Sequence, residues 1–264
     1  MKTKNLFVAI VFSMAVVFGF TTCINGGNSY NSSYVSPAVI GFDMQAGLTL
    51  NTYYGSFVPD STSALSLLSL PFGSCIFMSF DYNSEYQTGK YYVASNISYQ
   101  QVSIVNVQEE DTAMVNDYNC PLSSVKLLTD NEGNIMSTSI YYGGKFFVAT
   151  LAKLGQNQIL QYYPYIKPDE PLDSKGARNI YLQAKSPEIL NGSQDVGAVY
   201  ALDMTNILYS FGTDTTLIDN NGVNYPSKYM KINMQYCSSI ETGSPVFTSV
   251  ATQPIYIYFL KDGL

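Results

Sequence analysis

Tyr229-Met230-Lys231-Ile232-Asn233-Met234-Gln235-Tyr236 alternates outward and inward positions, placing Met230, Ile232, Met234 and Tyr236 on one face of an extended segment. A period of two marks a half-buried β-strand, because successive side chains leave opposite faces of the pleat. Arg178-Asn179-Ile180-Tyr181-Leu182-Gln183-Ala184-Lys185 repeats the pattern, and Lys145-Phe146-Phe147-Val148-Ala149-Thr150-Leu151 has the density of a strand buried on both faces. Pro254-Ile255-Tyr256-Ile257-Tyr258-Phe259-Leu260 reads as a final strand. With 23 Tyr, 14 Phe and only 12% charged residues, the composition suits pleated, half-buried surfaces rather than long helices.

Turn chemistry separates these runs. Asp130-Asn131-Glu132-Gly133-Asn134 and Asp219-Asn220-Asn221-Gly222 read as hairpin connections, since Asn and Gly reach positive φ cheaply. The second lacks the alternating acids and closing glutamate of a calcium loop. Tyr142-Gly143-Gly144-Lys145 reads as another turn. Proline removes ladder donors, so the segment from Tyr162-Tyr163-Pro164-Tyr165 to Pro171 is expected to run out of a strand into an exposed loop. Helix is expected only as one or two turns, at residues 61–70 or 204–209.

The fold class is therefore all-β. A domain break is expected at the charged stretch of residues 108–113, after the Val/Ile-rich residues 102–107. Residues 36–113 offer four or five strands, enough for a small N-terminal barrel, and residues 114–264 offer eight or more, enough for a C-terminal antiparallel β-sandwich.

The N-terminus carries a location. Lys2 and Lys4 precede an apolar run over residues 6–20, which closes on Thr21-Thr22-Cys23. Basic, apolar and small-residue segments before a cysteine read as a secretory signal over residues 1–22 that ends at a lipid-attachment site, Cys23. The run of 15 residues is shorter than the roughly 20 that a spanning helix needs. The alternative is an ordinary cysteine just past a conventional cleavage site. Residues 23–35 are Gly/Asn/Ser-rich and suit a flexible tether.

Removing residues 1–22 leaves 11 basic against 20 acidic residues, a net −9. Residues 24–115 hold Lys90 alone against Asp43, Asp60, Asp81, Glu85, Glu109, Glu110 and Asp111, a net −6. Such a surface repels phosphate backbones and anionic lipid heads, so no nucleic acid is expected, and membrane attachment is assigned to acyl chains such as palmitate.

With no histidine, the chain has no imidazole base for a Ser/His/Asp or Cys/His system and no familiar zinc site. Cys75, Cys120 and Cys237 remain after Cys23. Cys75 reads as a small buried hydrophobe, and a Cys120–Cys237 bridge has no local support. Asp81, Glu85 and Glu109-Glu110-Asp111 read as solvated turns. No catalytic, metal or cofactor residues are assigned.

Several segments together resemble the NigD-like lipoproteins of anaerobic Gram-negative bacteria. These are Ala38-Val39-Ile40-Gly41-Phe42-Asp43 leading to Leu48-Thr49-Leu50, Leu70 to Phe80, Ile140-Tyr141-Tyr142-Gly143-Gly144-Lys145-Phe146-Phe147-Val148, the strand at Asn179, and Val199-Tyr200-Ala201-Leu202-Asp203-Met204. The chain lacks that family's usual Arg-His pair and tryptophan. The resemblance implies an OB-like N-terminal domain, a C-terminal β-sandwich and a bacteriocin-immunity-like role, and it brings no catalytic residues.

Three functions are compatible with these features. A lipid-anchored interaction protein without catalysis would meet a protein partner through tyrosines, with Tyr162, Tyr163 and Tyr165 as the expected contact. A glycan-binding module would stack aromatic rings on sugars. A carboxylate-dependent glycosidase would need two facing acids in a cleft. The expected location is the outer membrane, on its periplasmic face rather than the cell surface, because residues 24–33 carry no acid.

Overall fold

The computed structural model describes residues 31–88, 90–118, 120–130, 132–136, 144–155, 158–186, 194–218 and 222–260. The expected lipidation site Cys23 lies outside the described residues, as do residues 137–143 and 219–221 of the expected strand and turns.

The all-β expectation holds. Strands β1 (Asn31–Asp43), β2 (Gly47–Thr52), β3 (Gly55–Pro59), β4 (Cys75–Thr88) and β5 (Tyr91–Asn106) come first, with a short helix α1 (Ser61–Leu67) between β3 and β4. β1 pairs with β2 and β4, β2 with β3, β4 with β5, and β3 with β5 in parallel, so these five strands close into a ring. Period-two alternation fills it: Ala38, Ile40, Leu50, Phe57, Ile76, Met78 and Phe80 share one buried cluster. β1 begins within the stretch expected to be tether, its first residues pairing with β4 at Asn31↔Asn83.

β5 then leaves the ring. Its last residues, Ser103 to Asn106, pair in parallel with β11 (Gln194–Asp203), which pairs with β8 (Lys145–Leu154) and through it β7 (Ser124–Leu127). Ring and body thus share one continuous sheet. A second sheet contains β6 (Gln108–Glu109), β9 (Gln161–Ile166), β10 (Arg178–Lys185), β12 (Thr213–Ile218) and the long β13 (Asn224–Glu241), flanked by β14 (Ser244–Ser249) and β15 (Ile255–Leu260). The two sheets face each other across the largest core. Phe146, Val148 and Leu202 meet Ile257, Ile180, Leu182, Met230, Ile232 and Met234, the last five being residues that the alternation had placed inward.

Of the residues expected at the domain break, Gln108 and Glu109 belong to this second sheet and Thr112 and Ala113 to a helix. β6 pairs with β9, and Asp111 accepts a hydrogen bond from the Ala113 N–H to cap α2 (Thr112–Asp117), a helix that the sequence reading did not contain. A smaller cluster bridges ring and body on the outside of the continuous sheet: Val39, Cys75 and Val102 meet Phe147 and Ala201 beneath Leu128 and Met136. Cys75 is fully buried there, and desolvation pushes its thiol up to about 12. Beside it, Lys145 pairs with Asp203. Burial pushes the Asp203 carboxyl upward, but hydrogen bonds from Lys145 and Thr205 outweigh it and leave the group below its ordinary value. Cys120 and Cys237 are also buried thiols.

Gly144 enters β8 at φ +66°, and a Cβ there would sit 2.8 Å from Leu208 Cδ1 on α3 (Thr205–Phe211). Gly133 has φ +86° with open space around it. Gly144→Ala should therefore lower the free energy of urea unfolding by about 2–4 kcal/mol, and Gly133→Ala by about 1 kcal/mol. Equal losses would mean that the Gly144–Leu208 contact is not close-packed.

Candidate functional site

The tyrosines expected to face a partner are internal, which corrects the expectation for Tyr162, Tyr163 and Tyr165. Tyr163 is 1% exposed and Tyr165 0%. The expected run from strand into loop comes only after Ile166, so all three tyrosines lie in the strand, where Pro164 stays in register opposite Leu182. Its missing donor is tolerated near the sheet margin, where only the two-residue β6 flanks β9. Tyr162 points to the main core, where its ring lies 4.2 Å from that of Tyr200 and its hydroxyl 2.8 Å from Thr150 Oγ1.

Tyr163 and Tyr165 point to the outer face of the second sheet, where they join a ladder of rings. Successive centroids from Tyr118 through Tyr163, Tyr165 and Tyr181 to Phe247 are 5.3, 4.9, 5.3 and 4.8 Å apart. Offset and edge contacts at these spacings are favourable beyond their area burial. α2 roofs one end, with Met114 and Val115 packed on the rings. The roof is tied down from both sides. Tyr163 OH accepts from the Asp111 N–H at 2.7 Å, and buried Gln183 Nε2 donates to Tyr118 O at 2.9 Å and Val115 O at 3.3 Å. The acidic run that resembled a solvated turn thus anchors the roof of an aromatic layer.

A polar network adjoins the ladder. Tyr181 OH and Asn179 Nδ2 donate to Glu170 Oε1 at 2.8 and 3.0 Å, Gln235 Nε2 donates to Asn179 Oδ1 at 3.0 Å, and Asn233 Nδ2 donates to Asp173 Oδ2 at 2.8 Å. Desolvation, with the Glu170 hydrogen bond, pushes the Tyr181 phenol up to about 12, whereas the Ala177 N–H and Asn233 hold Asp173 below its ordinary value. Alternation legible in the sequence put Asn179, Asn233 and Gln235 on this face, but nothing local revealed that the loop carrying Glu170 and Asp173 folds over it. Beyond the loop, Tyr256 is 51% exposed, with Lys231 Nζ 5.4 Å from its ring centre, and Tyr229 stacks on Tyr258.

Several large apolar side chains are exposed elsewhere, around one end of the ring. Phe42 is 58% exposed, Met44 96%, Leu65 74%, Leu68 64% and Phe72 61%. Strand order explains their convergence. β1 ends at Asp43, β3 ends at Pro59 just before α1, and β4 starts at Cys75, so the β1–β2 turn, α1 and residues 68–74 gather at the same end. The Gly73 N–H bonds to Ile40 O at 2.8 Å, which sets the Phe42 and Phe72 rings 5.4 Å apart. The sequence marks of this patch are Phe42 continuing the inward register of Ala38 and Ile40 past the end of the filled ring, and Leu65 and Leu68 on a helix whose buried residue is Leu67.

Among the described residues no group of three His, Cys, Asp or Glu side chains could hold a metal ion, and no helix is long and apolar enough to cross a membrane.

No family model matches the chain, and no curated protein matches it in sequence. Solved structures do. A protein of unknown function from Bacteroides vulgatus superposes with a TM-score of 0.51 at 10% identity, covering 88% of this chain and 92% of that one. A candidate lipoprotein from Bacteroides fragilis gives 0.50 at 10% identity over 86% and 96%. A NigD-like immunity protein from Bacteroides caccae gives 0.48 at 12% identity over 90% and 100%. At these identities the first two matches establish a shared fold that spans ring and body together.

The buried ladder should make the protein sensitive to alkali. A phenol whose pKa is raised by folding contributes stability that is complete below the unfolded value near 10 and is lost as pH rises through the folded value, about 12 for Tyr181. Urea midpoints should therefore fall between pH 9 and pH 12, and Tyr181→Phe should flatten that fall. An unchanged slope in Tyr181→Phe would show that this phenol ionises as freely in the fold as in the unfolded chain.

Proposed function

We propose that the protein is a lipid-anchored component of the cell envelope that binds another protein and performs no catalysis. The observation that carries this reading is the exposed apolar end of the ring, where the Phe42 and Phe72 rings meet and Met44, Leu65 and Leu68 are exposed on the neighbouring turn and helix. Soluble chains seldom leave several large apolar side chains together in water unless something covers them. The five-strand closure with a helix between β3 and β4 supports an OB-like reading of the ring, whose loops commonly serve as contact surfaces. The signal-like residues 1–22 and Cys23 support export and acylation, with palmitate among the acyl chains and the periplasmic face of the outer membrane as the site. The lipoprotein and immunity-protein names of two solved structures of similar shape are compatible with this location and with a binding role.

Tyr181 and Asn179 both bond Glu170 Oε1, which supports a structural role for that oxygen, while Oε2 is buried without a hydrogen-bond partner among the described residues. A glycan-binding role is the second reading, favoured by the exposed Tyr256 beside Lys231 and the Asn233–Asp173 pair; binding on a glycan array that Tyr256→Ala abolishes would replace the protein-partner reading.

Two measurements test the proposal. Cys23→Ala should move the protein from the membrane to the soluble fraction and end palmitate labelling; retention of both would remove the anchor. A photo-crosslinking residue at Met44 should capture a discrete envelope protein in cells, and Phe42→Ser/Phe72→Ser should abolish the adduct while leaving the free energy of urea unfolding within about 0.5 kcal/mol, as exposed sites allow. Capture that survives the double substitution would move the contact elsewhere.

A further inference from the structure

We infer that the occupant of the apolar end of the ring is a cationic amphipathic polypeptide segment, an inference that rests on the reading of that end as a docking surface. Residues 31–89 contain Asp43, Asp60, Asp81 and Glu85 and no lysine or arginine. The first base after them, Lys90, lies 3.7 Å from Asp43 with its ammonium over the Tyr91 ring. Residues 31–90 thus carry a net −3, with the exposed Lys90 offsetting Asp43 in part.

Two of those acids frame the apolar side chains. Asp43 stands between Phe42 and Met44, and its Oδ1 accepts the Gln45 and Ala46 N–H groups at 2.8 and 2.9 Å while Tyr91 OH bonds to Oδ2 at 2.9 Å. Those N–H groups, Ala46 first, hold its carboxyl down at about 2, so it stays charged at any physiological pH. Asp60 caps α1 through the Ser63 N–H at 2.7 Å, one turn before Leu65. A segment with an apolar stripe flanked by Lys or Arg would cover Phe42, Met44 and Phe72 while placing its charges against these acids. The exposed Phe rings offer such cations a further attraction, and the field of the ring steers them in.

The same charge pattern argues against the other occupants. A second copy would bring like charges to like. Anionic lipid heads would be repelled, and the chain enters the ring at Asn31, the opposite end of β1 from Phe42.

The test uses purified protein and two fluorescent synthetic helices of one apolar pattern, one Leu/Lys and one Leu/Glu, read by anisotropy at several salt concentrations. The Leu/Lys helix should bind, at least tenfold more tightly than the Leu/Glu helix. Phe42→Ser/Phe72→Ser should weaken it at least tenfold, and Asp43→Asn/Asp60→Asn, which keeps the turn and cap acceptors, severalfold with a shallower salt dependence. Equal binding of both helices, or no effect of the Asp substitutions, overturns the inference. So does self-association in sedimentation, or adsorption to phosphatidylcholine vesicles, that the Phe substitutions abolish. If neither helix binds while the Met44 adduct still depends on Phe42 and Phe72, the charge inference falls and the docking surface stands; if the adduct does not depend on them, both fall.

Discussion

β5 is the strand on which the rest of the molecule depends. It runs for 16 residues, and its two halves serve different bodies. Near its start β3 lies along one flank in parallel, Phe57 opposite Tyr92, and closes the ring. The β4 ladder on the other flank ends at Cys75 opposite Val102, and from Ser103 onward β11 takes up the flank that β3 has left. A break in β5 would remove both the closure of the ring and an edge of the first sheet. The outer cluster of Val39, Cys75, Val102, Phe147 and Ala201 sits over this handover, so the hydrophobic contacts reinforce what the hydrogen bonds define.

The abundant tyrosine has a similar logic. A β-sheet needs each outward face either wetted or covered, and a phenol supplies a large apolar body with one polar tip. On the second sheet, Tyr163, Tyr165 and Tyr181 use the body to fill the aromatic layer beside α2, and Tyr163 and Tyr181 use the tip to bond Asp111 and Glu170. Aromatic richness in this part of the chain is therefore a packing device. At the ring, the exposed Phe42 and Phe72 have the body without the tip.

Local pattern and long-range pairing were legible to different degrees. The alternation in β10 and β13 identified Ile180, Leu182, Met230, Ile232 and Met234 as inward, and all five lie in the main core. Turn residues placed the β12–β13 hairpin, whose flanks pair at Ile218 and Asn224. The parallel pairing of Ser103 with Tyr200 leaves no local trace, because it joins segments almost a hundred residues apart that each read simply as strands. α2 was hidden for a different reason. Its six residues are too short for a helical period, and its stability comes from the Asp111 cap and from the rings beneath it. The tyrosine site misled because the chain leaves the strand only after Ile166, which keeps all three rings inside β9 and covered on both faces of the sheet.

Ring and body are joined through a shared strand and a shared outer cluster, so they should unfold as one unit. Native-state hydrogen exchange tests this most directly. Amides of β5 in the ring, around Val93 and Ala94, and in the body, around Ile104 and Val105, should exchange with one common free energy equal to that of global unfolding. Ring amides that exchange at a distinctly lower free energy while β8 and β11 stay protected would contradict the account.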